Sequence, residues 1–117
     1  LRESASMDKR IREWLQDILD QAHEIRDFTA GIVFETYQAD HKTQAAVERK
    51  FEIIGEALNR IRAANEELLE DIRDSRSIIS FRNILAHGYD SIEERIVWGI
   101  IESDLHNLIT DVEKLLG

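Results

Sequence analysis

The chain has 117 residues, no cysteine, no proline and a formal net charge of −9, which suits a single domain and excludes disulfides and thiolate metal sites. The negative charge argues against a general nucleic-acid coat, because non-specific binding of that kind rests on many basic contacts. It leaves room for a small local phosphate site and for a basic protein partner. With only five glycines, the composition favours an all-α fold over a β-rich one.

Localisation and cofactor use are predicted from what the sequence lacks. No apolar run approaches the roughly 20 residues that span a bilayer, and the N-terminus lacks the apolar core of a signal peptide. We therefore expect a soluble cytoplasmic protein. The four histidines form no HxxxH or HExxH pair, so no metal cofactor is predicted. Residues 1–6 precede Met7 and are interpreted as an upstream or expression-derived remnant, which leaves 7–117 as the single helical domain.

The first predicted helix covers residues 8–29, with a predicted stop at Gly31. Its apolar residues recur at alternating steps of three and four, which is typical of one face of an amphipathic helix. They are Ile11, Trp14, Leu15, Ile18, Leu19, Ala22, Ile25 and Phe28. Residues 32–39 are predicted to form a short helical turn, and Asp40 to cap the next helix.

The second predicted helix covers residues 43–64 and has one apolar stripe. The stripe consists of Val47, Phe51, Ile54, Leu58 and Ile61. Gly55 lies in mid-helix, where glycine costs about 1 kcal/mol relative to alanine. It therefore predicts the close approach of another backbone. Glu48 and Glu56 are predicted to be solvated, with Glu56 attracting Arg60 on the next turn.

A short helix is predicted over residues 66–71, followed by a third long helix over 76–87. Ser75 is expected to cap this third helix and Gly88 to end it. Its predicted apolar positions are Ile78, Ile79, Phe81, Ile84 and Leu85.

The fourth predicted helix begins after a cap at Asp90 or Ser91 and bends near Gly99 or Asp104. Its predicted buried residues are Ile92, Ile96, Val97, Ile100, Leu105, Leu108, Val112 and Leu115. Further apolar residues, among them Trp98, Ile101, Ile109 and Leu116, suggest an oligomer interface. Four amphipathic helices with short connections predict an up-and-down four-helix bundle with additional short helices.

The most informative stretch is 82–89, which brings Arg82, Asn83, His87 and Tyr89 together at a predicted helix end. An arginine binds phosphate through a bidentate contact, and a histidine transfers protons near neutral pH. Five positions separate Arg82 from His87, which places them roughly 140° apart on a helix. Two copies facing each other across a twofold axis would bring two arginines and two histidines to one cleft. On residue chemistry alone, a hydrogen-bonded helix cap is the competing interpretation.

Three stretches of the sequence resemble a known family. They are AVERKFEIIGEA at 46–57, RNILAHGY at 82–89, and IVW at 96–98 followed by Asp104-Leu105. Together they resemble the HEPN ribonucleases, and most closely the HepT toxins, whose partner is an MNT-type nucleotidyltransferase antitoxin. The chain departs from the family at His106, where a proline often stands.

The resemblance implies a homodimer with its site in the intersubunit cleft and no metal cofactor. Arg82 and His87 match the family's catalytic pair, Asn83 the supporting polar residue, and Tyr89 the tyrosine that accepts AMP from the antitoxin. The expected function is that of a metal-independent endoribonuclease toxin, which acts on RNA and leaves a 2′,3′-cyclic phosphate. Two alternatives stay open: a non-catalytic HEPN module that binds nucleotides, and a structural partner subunit of a nucleotidyltransferase complex.

Overall fold

The computed structural model describes residues 7–87 and 93–117, and within these ranges it contains helices and no strand. The elements are α1 (Lys9–Thr29), α2 (Phe34–Ala39), α3 (His41–Ala64), a 3-10 helix (Glu66–Asp71), α4 (Ser75–Ala86), α5 (Glu94–Ser103) and α6 (Leu105–Leu116). The predicted all-α fold is confirmed. None of the described helices combines the length and apolar character needed to cross a membrane.

The long helices form the predicted bundle, with α3 at its centre. This helix packs against α1 on one side and α4 on the other, while α6 packs against α1. Helices α5 and α6 together take the place of the predicted fourth helix, which is interrupted at Asp104. The short helices are α2 and the 3-10 helix, and the latter covers the predicted residues 66–71.

Local capping defines the ends of α1 and α3; Gly31 and Asp40 act as predicted, and Asp8 is an additional cap. The Asp8 carboxylate accepts a hydrogen bond from the Arg10 backbone N–H at 2.7 Å. Gly31, just after α1, has φ +76°, a conformation that glycine adopts without steric cost. The Asp40 carboxylate accepts from the Thr43 backbone N–H at 3.0 Å, which satisfies one of the donors exposed at the start of α3.

The core lies between α1, α3, α4 and α6. Its largest fully buried side chains are Tyr37, Phe51, Leu15, Ile18, Ile25, Ile54, Leu58, Ile61, Ile72, Ile78, Leu108 and Val47. All five apolar positions predicted for the second helix are fully buried. Phe28 is an error of the prediction, because 47% of it is exposed. Trp98 and Ile109, which were predicted as surplus apolar residues of an oligomer interface, are buried within the chain. Trp98 packs against Tyr37 with ring centroids 5.2 Å apart.

The start of α4 differs from the prediction. Ser75 is the first helical residue rather than the cap, and its hydroxyl donates to the Leu69 carbonyl at 3.4 Å. Hydrogen bonds to α6, rather than a cap by Ser75, hold the turn before α4 in place. Asp111, which is 5% exposed, accepts from the Arg73 backbone N–H at 2.9 Å and from its guanidinium Nε and Nη2 at 3.0 and 2.9 Å. The Arg73 guanidinium holds the pKa of the Asp111 carboxyl below its usual range.

The fourth predicted helix is correct in its bend but not in all its buried positions. The interruption falls at Asp104, one of the two predicted places. Ile96 was expected to be buried and is 54% exposed, whereas Val97 is fully buried. The predicted caps Asp90 and Ser91, and the predicted buried Ile92, lie outside the described residues.

Candidate active site

Helix α4 carries the described part of the candidate site. Ile78, Ile79 and Phe81 bury one side of the helix. Arg82 and Asn83 lie in its last turns, and His87 follows its last residue as the C-cap, with its backbone N–H donating to the Asn83 carbonyl at 3.2 Å. His87 is exposed to solvent. Gly88, the predicted end of the helix, and Tyr89, the predicted modification site, lie outside the described residues.

The Arg82 side chain crosses α3 before it reaches solvent. A Cβ atom at Gly55 would lie 2.2 Å from the Cβ and 2.6 Å from the Cγ of Arg82, and 3.5 Å from the Ile78 carbonyl oxygen. No residue other than glycine fits at this distance without a shift of α4. The predicted close approach at Gly55 is thus confirmed, although the nearest atoms belong to the Arg82 side chain rather than to a backbone.

The Arg82 guanidinium has two polar neighbours, one on each of two helices. Its Nη2 lies 3.6 Å from Oε2 of Glu56 on α3, and its Nη1 donates to Oδ1 of the neighbouring Asn83 at 3.3 Å. The predicted pair of Glu56 with Arg60 is also present, at 3.6 Å from the other carboxylate oxygen. The sequence prediction placed Glu56 at the solvent surface and missed its contact with Arg82, because periodicity within α3 does not show what packs across from it.

Arg82 and His87 lie on different sides of α4. On a helix of 3.6 residues per turn, position 87 falls on the face of Ser80 and Ile84, roughly 140° from position 82. This outer face forms a groove of about 420 Å³ between α4 and α5. The groove is lined by Arg76, Ser77, Ser80, Phe81, Ile84 and Ile96. One chain therefore does not place the two predicted catalytic residues on one helix face.

A second polar cluster lies where α2, α3 and α5 meet. The Tyr37 hydroxyl and the Oε1 atom of Glu94 are buried and have no hydrogen-bond partner within the described residues. Burial raises the pKa of Glu48, and the nearby Glu94 carboxyl raises it further. Burial likewise raises the pKa of Glu94. Glu48 is half-buried rather than fully solvated. No motif in the sequence links these three residues from separate helices.

Comparison with known proteins assigns the chain to a family. The family described as Ribonuclease HepT-like matches residues 18–115, a range that includes Gly55, Glu56, Arg82 and His87. No solved structure gave a significant match.

Similar proteins cover almost the whole chain. A protein of Thermococcus cleftensis named probable ribonuclease HepT is 35% identical over 109 residues, which are 93% of this chain and 98% of that protein. Two proteins of Methanocaldococcus jannaschii that carry provisional RNase names are each 32% identical over 92% of this chain, and the matches cover 88% and 98% of their own lengths. The match to the family model and the identity to these relatives show that the chain belongs to the HepT-like family of the HEPN superfamily.

Proposed function

We propose that the protein is a metal-independent endoribonuclease toxin whose site combines Arg82 and His87 from two copies of the chain. The observation that carries this proposal is the end of α4. There a guanidinium donates to an amide oxygen and faces a carboxylate, and an exposed imidazole follows within the segment that matches the family. Arginine suits the binding of a phosphodiester, and histidine suits the proton transfers to and from the ribose oxygens during its cleavage.

The outer face of α4 supports the homodimer in this proposal. Ile84 is 44% exposed and Ile96 is 54% exposed, and both line the groove between α4 and α5. Large apolar side chains exposed side by side are typical of interaction surfaces. Because position 87 lies on the same face of α4 as Ile84, a second copy seated on this groove would lie beside His87. A twofold arrangement on this face would place the two His87 residues near each other at the interface.

The proposed reaction needs only the substrate and these side chains. The ribose 2′-oxygen attacks the adjacent phosphorus, so a 2′-O–P bond forms and the bond from phosphorus to the 5′-oxygen breaks. One His87 accepts the 2′-hydroxyl proton, and a second His87 donates a proton to the leaving 5′-oxygen. Arg82 stabilises the charge that develops on the phosphoryl oxygens. The products are a 2′,3′-cyclic phosphate and a 5′-hydroxyl.

Cleavage of RNA in the presence of EDTA tests this proposal. We expect full activity with the chelator, because no step uses a metal, and no cleavage of an oligonucleotide whose scissile nucleotide lacks the 2′-hydroxyl. The measurement is the cleavage rate of the two matched oligonucleotides, with mass spectrometry of the products. Loss of activity on chelation, or cleavage of the deoxy oligonucleotide at the same rate, would contradict the mechanism.

Control by AMP attachment is the second part of the proposal and rests on Tyr89, two residues after His87. The Tyr89 hydroxyl oxygen forms a bond to the α-phosphorus of ATP on a nucleotidyltransferase antitoxin, the bond to pyrophosphate breaks, and the phenol proton is released to solvent. The attached phosphate adds negative charge seven residues after Arg82 in the sequence, and we expect it to compete with the substrate phosphate for the arginine. We expect mass spectrometry to show one AMP on Tyr89 and the modified protein to lose RNA cleavage. Modified protein that still cleaves RNA at the unmodified rate would contradict this control.

A structural subunit of a nucleotidyltransferase complex is the second candidate function. The net charge of −9 favours it, because it suits a basic protein partner better than free RNA. The RNA-cleavage assay, combined with a measurement of binding to the nucleotidyltransferase, separates the two candidate functions. Stable complex formation with the nucleotidyltransferase, without RNA cleavage by the isolated protein, supports the structural role.

A further inference from the structure

The Arg82 guanidinium is held in one orientation by groups from both α3 and α4. Its Cβ and Cγ lie against Gly55, so the side chain leaves α4 directly across α3. Beyond that point Nη1 donates to Asn83 at 3.3 Å, while Nη2 faces Glu56 at 3.6 Å. The two contacts lie at the two terminal nitrogens, so together they restrict both the position and the plane of the guanidinium.

The contact between Glu56 and Arg82 is one of charge rather than a hydrogen bond. At 3.6 Å the separation exceeds the usual N–H···O range. The Glu56 side chain is 50% exposed and that of Arg82 is 27% exposed, and a pair this open contributes little to folding stability. The remaining effect of this contact is on the orientation of the Arg82 guanidinium, to which α3 contributes as well as α4.

We propose that Glu56 is a positioning residue for Arg82: its carboxylate orients the guanidinium so that the remaining donors face the substrate phosphate. This inference rests on the proposed nuclease function and adds a residue from α3 to it. Glu56 touches no reacting atom and acts only through Arg82. Gly55 leaves space for the first carbons of the Arg82 side chain, and Glu56, the next residue of α3, orients its guanidinium.

Glu56→Gln tests the inference, because glutamine keeps the shape of the side chain and removes its charge. We expect the kcat for RNA cleavage to fall by about 10- to 100-fold, since small misplacements of a catalytic group have effects of this size. KM should change by less than about twofold, because the charge on Arg82 that attracts RNA is retained. In an Arg82→Ala background, Glu56→Gln should change kcat by less than about twofold, since the guanidinium that Glu56 orients is already absent.

Two variants on α3 serve as controls. Glu52→Gln removes a carboxylate one turn earlier, whose distance to Arg49 is the same 3.6 Å. Arg60→Ala removes the other partner of Glu56 and leaves the contact with Arg82. Both variants should cleave RNA at the wild-type rate. An equal loss in Glu52→Gln would show a general effect of charge, and a loss in Arg60→Ala would show that Glu56 acts through Arg60. Either result would overturn the inference.

An NMR measurement separates failure of the inference from failure of the proposed nuclease function. In wild type the Arg82 Nε–Hε group should be ordered, and its order parameter should fall in Glu56→Gln but not in Glu52→Gln. If wild type does not cleave RNA, the nuclease proposal fails, and the NMR comparison alone decides whether Glu56 positions Arg82. Unchanged order and unchanged kcat in Glu56→Gln would reject the positioning role while leaving the nuclease in place.

Discussion

Replacing His87 with alanine is expected to lower the rate of RNA cleavage by about 10²- to 10⁴-fold, the range that a general acid–base group contributes. Arg82→Ala is expected to lower it by about 10²- to 10³-fold, as for loss of one group that stabilises developing charge. Arg82→Lys should restore only part of the rate, because lysine provides a point charge in place of the planar fork of donors. The measurement is the single-turnover rate with EDTA present.

His106→Ala is the matched control for the histidine substitution, since His106 is an exposed imidazole on α6. It should cleave RNA at the wild-type rate. Circular dichroism spectra of all four variants should match wild type, and the two histidine variants should keep the wild-type melting temperature because both imidazoles are exposed. A His87→Ala protein that cleaves at the wild-type rate would remove the basis of the proposed chemistry.

Asp111→Ala is expected to cause the largest loss of stability among the variants considered. The substitution leaves the part-buried Arg73 backbone N–H without its acceptor and removes two contacts to the guanidinium. We expect a loss of about 2–3 kcal/mol in the free energy of unfolding, as for charged hydrogen bonds and an orphaned donor. For a domain of this size, that corresponds to a fall in melting temperature of roughly 8 to 15 °C.

The stabilisation by Asp111 should also depend on pH. Because the folded state lowers the pKa of Asp111, its contribution is complete above the ordinary aspartate pKa of about 4 and is lost as the pH falls through the lowered value. The difference in stability between wild type and Asp111→Ala should therefore shrink in acid. Asp17→Ala, at an exposed aspartate on α1, is the control and should change the melting temperature little. Equal melting temperatures for Asp111→Ala and wild type at neutral pH would contradict this account.

The elements predicted most accurately from the sequence were those with one clear apolar stripe. In α3 every predicted stripe residue is buried, and Asp40 caps the helix as expected. In α5 apolar residues occur on several sides of the helix, so periodicity does not determine which of them face the core. The structure buries Val97 and Trp98 and leaves Ile96 exposed, because α2 supplies the aromatic partners of Trp98.

The candidate site was predicted in part. The resemblance proposed Arg82, Asn83, His87 and Tyr89 as site residues, and their roles stay predictions. The glycine in mid-helix indicated a close approach at Gly55, which the structure shows. The sequence did not show that the close approach is made by Arg82 itself, nor that Glu56 faces it, since both contacts depend on how α4 packs across α3. Asp111 was missed for the same reason, because its partner lies in the turn before α4.

The packing of Arg82 against Gly55 has a consequence for the thermodynamics of anion binding. An arginine on an open surface has roughly 2 kcal/mol of rotamer entropy, some of which is lost when it grips a ligand. In this protein the first carbons of the side chain are already confined between two helices, so that part of the loss occurs when the chain folds. An incoming anion therefore meets a guanidinium with fewer orientations left to restrict, and the association is less opposed by disorder than it would be on a freely rotating arginine.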